Sequence, residues 1–400
     1  MARSLFHPNR GLLPRILALI NVSDPAIAQD PEAPAGPERI QDALQSLSVV
    51  QRRPLPSQPL RRLLVRATNW VGDAVLILPA ICRLRELFPQ AHLAVLAVPR
   101  VAPVFQGHPA ISEIILSPSS APAPDNPGRW PLLKKLRARR FELALLFPNS
   151  FESALVAWAA GIPHRLGYNT DYRTPLLTTI IRSPEKLAHL HQVYRHLGLL
   201  RAFGNQVPTA LPALYLDDQD LAQARDLMAQ KCLEPAQLII GISPGAAYGS
   251  AKQWLPERFA AVAEQLQKEF DARIVLLGGP GDAEVAGRIV ERMRHPAVNL
   301  VGQTDLRTAM AVIKHLALLI TNDSGLMHVA AALRVPLVAL FGSTDSDSTG
   351  PFTPLATVLR HPVPCSPCLE RECPTDHRCM ELITAAEVVA AARDWLARTA

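Results

Sequence analysis

Residues 316–343 read LALLITNDSGLMHVAAALRVPLVALFGS. LALLI is a strand candidate, TNDSG a polar crossing loop, LMHVAAAL the start of a helix, and PLVALFGS the next strand. Strand, loop, helix and strand in that order form the unit of a parallel sheet covered by helices. The same unit recurs upstream. QLIIGIS leads into a glycine turn and the amphipathic stretch LPERFAAVAEQLQKEF, and ARIVLLGG and AVNLVG follow as strands. An earlier series starts at residue 62, with LLVRA, HLAVLAV, ISEIILS and FELALLF as strands and helical stretches between several of them. The restart near residue 236 implies two doubly wound α/β domains. Such domains bind ligands beyond the carboxyl ends of their strands.

The totals agree with this reading. A chain of 400 residues suits two domains, and 48% hydrophobic residues suffice for substantial cores. The net charge of +6 favours anionic partners: nucleic acid, an anionic membrane or a phosphorylated substrate. There is no nucleic-acid-binding module motif or aromatic platform. No apolar run is long enough to cross a bilayer, and Pro14 and Arg15 break the apolar start as a signal peptide. Residues 1–60, rich in Pro, Ala, Gln and Ser toward their end, read as a flexible extension.

Several turns carry candidate chemistry. In ATNWVGDAVLILPA, Asp73 follows a glycine at a strand-to-helix turn. It is either a helix cap or a general base reaching into a cleft. In ISPGAAYGSAKQWL, Ser243, Gly245 and Ala246 let backbone donors approach an anion, and Lys252 adds a mobile positive charge. Neither GxGxxG nor a Walker loop is present at these turns. Thr304 is an N-cap candidate, with Asp305 in the first turn after it. Asp323, Ser324 and Gly325 sit at a strand's carboxyl end, where a carboxylate can accept sugar hydroxyls and Ser324 with backbone donors can hold phosphate. His328, one turn into the helix, is a core, capping or catalytic residue. Thr384 is the N-cap candidate of the last helix.

Taken in order, NWVGDAVLILPA, LLFPNSFESALVAWAAGIPHRLGY, SPGAAYGSAKQWL, TNDSGLMHVAAAL and CSPCLERECPTDHRCM resemble the bacterial lipopolysaccharide heptosyltransferases, and most closely the heptosyltransferase II branch. The resemblance runs from about residue 64 to 380. It implies a GT-B fold, two Rossmann-like domains facing across a cleft. The expected divisions are an acceptor domain at 61–210, a linker at 211–235, an ADP-heptose domain at 236–380, and a C-terminal helix at 381–400 packing back on the first domain.

The implied reaction is an inverting transfer of heptose from ADP-heptose to a heptosylated Kdo-lipid A acceptor, at the cytoplasmic face of the inner membrane. Asp73 matches the family's base. Lys252 and the turn at Ser243, Gly245 and Ala246 match the diphosphate region. Asp323, Ser324, Gly325 and His328 match the donor loop, and Thr304 joins the donor side. Asn69 and Trp70 fall on the acceptor side. So does the basic stretch RWPLLKKLRARR, in which Lys134, Lys135, Arg137, Arg139 and Arg140 meet anionic groups while Leu132, Leu133 and Leu136 form an apolar strip. The resemblance implies no required cofactor. The clustered Cys365, Cys368, Cys373 and Cys379 have sulfur chemistry that permits zinc, and are read as reduced, locally packed thiols.

Overall fold

The computed structural model describes residues 37–56, 58–118, 129–182, 187, 190–204, 210–234 and 236–399. The chain builds two sheets. The first contains β1 (Ser48–Gln51), β2 (Arg62–Arg66), β3 (His92–Ala97), β4 (Glu113–Leu116), β5 (Leu143–Leu146), β6 (His164–Tyr168) and β7 (Thr179–Arg182), in the order β1-β7-β6-β5-β2-β3-β4. Every pair is parallel except β1 with β7. The second contains β8 (Ile239–Ser243), β9 (Arg273–Leu276), β10 (Val298–Asn299), β11 (Leu318–Asn322), β12 (Leu337–Phe341) and β13 (Ala356–Arg360), in the order β10-β9-β8-β11-β12-β13, all parallel.

The strand order places the ligand edges. β2 lies between β3 and β5, and β8 between β9 and β11, so each is the strand from which the chain winds both ways. Loops after such strands diverge and leave a crevice. The loop after β2 carries Asp73, and the loop after β8 carries Lys252.

Alternate residues of the central strands serve different cores. Leu63 and Val65 of β2 face a core that continues across both domains to Met327, Leu337 and Phe341. Leu64 faces a second core with Leu132 and Ala157, under the helices Arg129–Ala138 and Phe151–Ala159. On the far side of the other sheet, Ile240 and Ile242 pack with Trp254, Phe259 and Val389. The two sheets thus form two facing Rossmann-like domains, the GT-B arrangement.

Three boundary expectations change. Residues 37–51 are not a loose extension: the helix Pro37–Gln45 buries Leu44, and β1 adds an antiparallel edge to β7. Its apolar residues are few, but β7 offers an open edge to pair with. Residues 1–36 lie outside the described part. The 211–235 segment is not a bare linker. It holds the helix Asp218–Gln230, which starts at an Asp217/Asp220 capping box and buries Ala224 and Met228 beside the helix Leu306–Lys314. The last helix, Ala385–Thr399, packs on the helix Pro256–Phe270 and over β11–β13 of the second domain rather than on the first. Its Val388, Val389, Ala392 and Trp395 are buried there. Thr384 does begin this helix: its hydroxyl oxygen accepts from Glu387 N at 3.3 Å, and Glu387 Oε2 accepts from Thr384 N at 2.7 Å.

Candidate functional site

Asp73 stands in the first turn of the short helix Val71–Leu76, whose N-cap is Trp70 with no side-chain bond. The capping alternative therefore fails: no described residue hydrogen-bonds the Asp73 carboxylate. Burial pushes its pKa up to about 6, the Lys252 charge pulls it down and the Asp323 charge raises it. One carboxyl of the first domain thus feels two charged groups of the second across the domain boundary.

Those two groups are paired. Lys252 ends a short turn (Ser250–Lys252), and its Nζ lies 2.6 Å from Asp323 Oδ2, both side chains nearly buried. Thr344 Oγ1 donates to the same oxygen at 2.7 Å. The ammonium also lies 4.8 Å from the Tyr248 ring centroid, a cation–π contact. Asn322, just before Asp323, ties the two loops together. Its Nδ2 donates to Pro244 O at 2.6 Å and its Oδ1 accepts from Trp254 N at 3.1 Å. Sequence reasoning read the polar loops at 321–325 and 342–351 as cleft-lining but did not single out Asn322 or Thr344. The first left a signal, a polar residue at the buried end of an apolar strand. The second sat inside a polar run, STDSDST, with nothing to single it out.

The remaining residues expected on the donor side fall along the same edge. Ser243 ends β8 and is buried, and Gly245 and Ala246 follow it into the turn. A side chain at position 245 would collide with Asp282, whose Cγ lies 2.0 Å from where a Cβ would sit. Glycine is needed there for close approach, not for a special backbone angle. Ser324 caps the helix Gly325–Ala332, its Oγ accepting from Met327 N at 3.4 Å and lying 3.1 Å from Thr321 Oγ1. Thr304 is not the N-cap expected: Asp305 takes that place, accepting from Thr308 N at 2.7 Å. Thr304 stays on the adjoining loop, and among the described residues no hydrogen bond joins it to Lys252 or Asp323.

His328 is buried between the domains. Burial holds its pKa down to about 4, with Asp323 opposing and His191 and Lys252 adding to the shift, so it is neutral at pH 7. Its ring lies close against the first domain: a Cβ at Gly72 would meet its Cδ2 at 2.6 Å, and one at Gly325 would meet Val71 Cβ at 3.0 Å. Two glycines let the helix carrying Asp73 touch the helix that follows Asp323. Gly72→Ala is accordingly expected to cost about 1–3 kcal/mol of stability through overpacking. Urea denaturation of Gly72→Ala, with and without His328→Ala, checks this. The double variant should recover part of the loss.

On the side expected to meet the acceptor, Arg66 Nη2 donates to Asn69 Oδ1 at 3.1 Å and Arg100 Nε to Asn69 O at 2.7 Å. Arg100 also lies 4.8 Å from the centroid of the exposed Trp70 ring. The basic stretch is a helix, Arg129–Ala138, but its apolar strip is not a membrane face. Leu132 and Leu136 are buried and Leu133 is partly buried on the same core. Burying two leucines gains about 3–6 kcal/mol against leaving them exposed, so the sheet claims that face. Arg139 is held by Glu113 and Arg137 by the carbonyl of Ala159, whereas Lys134, Lys135 and Arg140 remain exposed.

The cysteine-rich segment packs against the loop that carries Lys252. Arg371 O accepts from Ala251 N at 3.0 Å, His377 Nε2 lies 3.1 Å from Ala251 O, and Tyr248 Oη donates to Leu369 O at 2.7 Å. All six cysteines are free thiols, and among the described residues no group of three or more His, Cys, Asp or Glu is gathered as metal ligands.

Residues 129–378 match the model of glycosyltransferase family 9 (heptosyltransferase). Lipopolysaccharide heptosyltransferase 2 of Escherichia coli K12 is 34% identical over 310 residues, 75% of this chain and 88% of that protein. The solved structure of the E. coli ADP-heptose LPS heptosyltransferase II is similar at a TM-score of 0.73 and 31% identity, covering 84% of this chain and 99% of that one. A family 9 glycosyltransferase from Veillonella parvula, 24% identical, shares the fold at a TM-score of 0.75 over 85% of this chain and 98% of its own.

Proposed function

We propose, from the premise that this chain belongs to glycosyltransferase family 9, that it transfers L-glycero-D-manno-heptose from ADP-heptose to the first heptose of the lipopolysaccharide inner core. The observation that carries the reading is the meeting of Asp73 from one domain with Lys252 and Asp323 from the other. In a single displacement, the acceptor hydroxyl oxygen attacks the anomeric carbon of the donor sugar. Its proton passes to the Asp73 carboxylate. The bond from the anomeric carbon to the diphosphate oxygen breaks, ADP leaves with the electron pair, and the configuration inverts.

A partly buried carboxylate suits the base, because burial makes it more basic than an exposed one while leaving it ionised at pH 7. Lys252 and the backbone donors of the turn after β8 stabilise charge growing on the diphosphate, with Ser243, Gly245, Ala246, Ser324 and Gly325 lining that path. Asp323 accepts hydroxyls of the donor sugar. The scheme routes no step through a metal. Arg100 and Trp70 offer positive charge and an aromatic face to an acceptor rich in acidic groups, beside an Asn69 held by Arg66 and Arg100. Lys134, Lys135 and Arg140 supply charge toward an anionic membrane surface, where the enzyme works on the cytoplasmic side. Among the described residues no helix is long and apolar enough to cross a membrane.

The choice of the second heptose rests on the likeness to heptosyltransferase 2. It is tested by supplying ADP-heptose with lipid A core acceptors bearing zero, one or two heptoses, following ADP release and acceptor mass. One addition to the one-heptose acceptor is the expected result. Addition only to the zero-heptose acceptor would move the step to the first heptose, and addition only to the two-heptose acceptor to a later one.

A further inference from the structure

Asp323 is a buried carboxylate that spends one oxygen on two partners. Oδ2 receives both the Lys252 ammonium, at 2.6 Å, and the Thr344 hydroxyl, at 2.7 Å. No described residue hydrogen-bonds Oδ1. The pairing fixes the carboxylate's rotation, because two donors from different loops converge on one oxygen and leave the other open. Lysine alone could not do this: a flexible four-carbon chain follows the carboxylate, and its ammonium must also serve the diphosphate.

Thr344 is differently placed. It is 6% exposed, follows the carboxyl end of β12, and belongs to a stretch anchored on the other side by the cysteine-rich segment. Leu369 N donates to Ser343 O at 2.8 Å, and Ser366 Oγ to Gly342 O at 2.5 Å. The backbone just before Thr344 is therefore held from behind, whereas Lys252 reaches Asp323 at the end of a long side chain. Next to Thr344, the buried Ser343 Oγ has no hydrogen-bond partner among the described residues.

We propose that Thr344 is a positioning residue for donor-sugar recognition: it holds the Asp323 carboxylate so that one oxygen stays with the protein and the other accepts a hydroxyl of the sugar. This rests on the ADP-heptose reading above. It assigns the sugar half of the donor to the Thr344–Asp323 pair and the diphosphate half to Lys252. When the donor arrives and Lys252 moves toward the diphosphate, Thr344 is the contact that keeps Asp323 from following.

The test compares Thr344→Val, which keeps the shape and removes the hydroxyl, with Thr344→Ser, which keeps the hydroxyl. Affinities for ADP and for ADP-heptose are measured by calorimetry, and transfer by steady-state kinetics. Thr344→Val should weaken ADP-heptose binding and raise its KM about tenfold, the scale of one hydrogen bond to a charged group, with ADP affinity within about twofold of wild type. Thr344→Ser should stay within about twofold on both ligands. Equal losses of ADP and ADP-heptose in Thr344→Val would mean a collapsed loop and overturn the proposal. So would unchanged ADP-heptose affinity, or a serine variant as weak as the valine one. Wild-type protein that fails to bind ADP-heptose overturns the functional reading and this proposal together. Wild-type binding with an indifferent Thr344→Val overturns this one alone.

Discussion

Asp73→Asn is expected to retain ADP-heptose binding and to lose about a thousandfold in transfer, the scale of a removed general base. The amide keeps the size and place of the side chain in the turn after β2 but cannot take a proton. Its effect should fall on kcat with KM for the donor little changed, because the proposed scheme gives Asp73 the acceptor's proton and not the diphosphate. Wild-type activity should rise with pH through about 6, where burial has pushed the carboxyl. That limb should vanish from the residual activity of the variant.

Stability gives an independent reading of the same residue. The folded-state pKa lies above the usual 3.8, so folding takes up a proton between that value and about 6. Stability from this group falls as pH rises through the window, and above it the ionised carboxylate works against the fold. Asp73→Asn should therefore melt no lower than wild type at pH 7.5. A variant that loses both transfer and melting temperature would point to a structural role. Wild-type turnover would remove Asp73 from the chemistry.

The residues that were legible in the sequence share a physical property: each sits where a local pattern breaks. Asp73 and Asp323 interrupt apolar runs at the carboxyl ends of strands, and Gly72 and Gly325 sit beside them. The strands β2, β3, β5, β8, β11 and β12 were equally plain, because they are buried on both faces and read as unbroken apolar runs. β1, β6, β7 and β13 were not. HRLGY and ATVLR mix polar and apolar residues, since edge positions and Arg165, which donates to the carbonyls of Leu176 and Ile162, relax the demand for burial. The basic helix misled for a related reason. Leucines at 132, 133 and 136 form one stripe whether the surface they meet is a membrane or a sheet, and only the tertiary neighbours separate the two. The last helix erred in destination rather than existence. Its apolar face was readable, but the choice between two domains depends on which sheet leaves a groove open. Thr344 lay beyond any local rule, because its importance comes from a carboxylate 21 residues away in sequence.

Lys252→Ala is expected to lower ADP affinity and transfer by about a hundredfold, through loss of a charge-assisted contact to the diphosphate. It should also destabilise the protein, by about 3 kcal/mol, because Asp323 is 6% exposed and would be left with Thr344 as its hydrogen-bond donor and no counter-charge. A single substitution thus confounds two losses. Lys252→Ala combined with Asp323→Asn separates them. The amide removes the uncompensated charge, so the melting temperature should return most of the way toward wild type. Transfer should not return, since neither the charge proposed to face the diphosphate nor the carboxylate proposed to hold the sugar is restored. If the double variant recovered transfer along with stability, Lys252 would be only the counter-ion of Asp323, and the charge facing the diphosphate would have to come from the backbone donors between Ser243 and Ala246. If stability were unaffected in the single variant, the Lys252–Asp323 pair would be offset by its own desolvation, as buried pairs often are, and the lysine would be held in place for the chemistry alone.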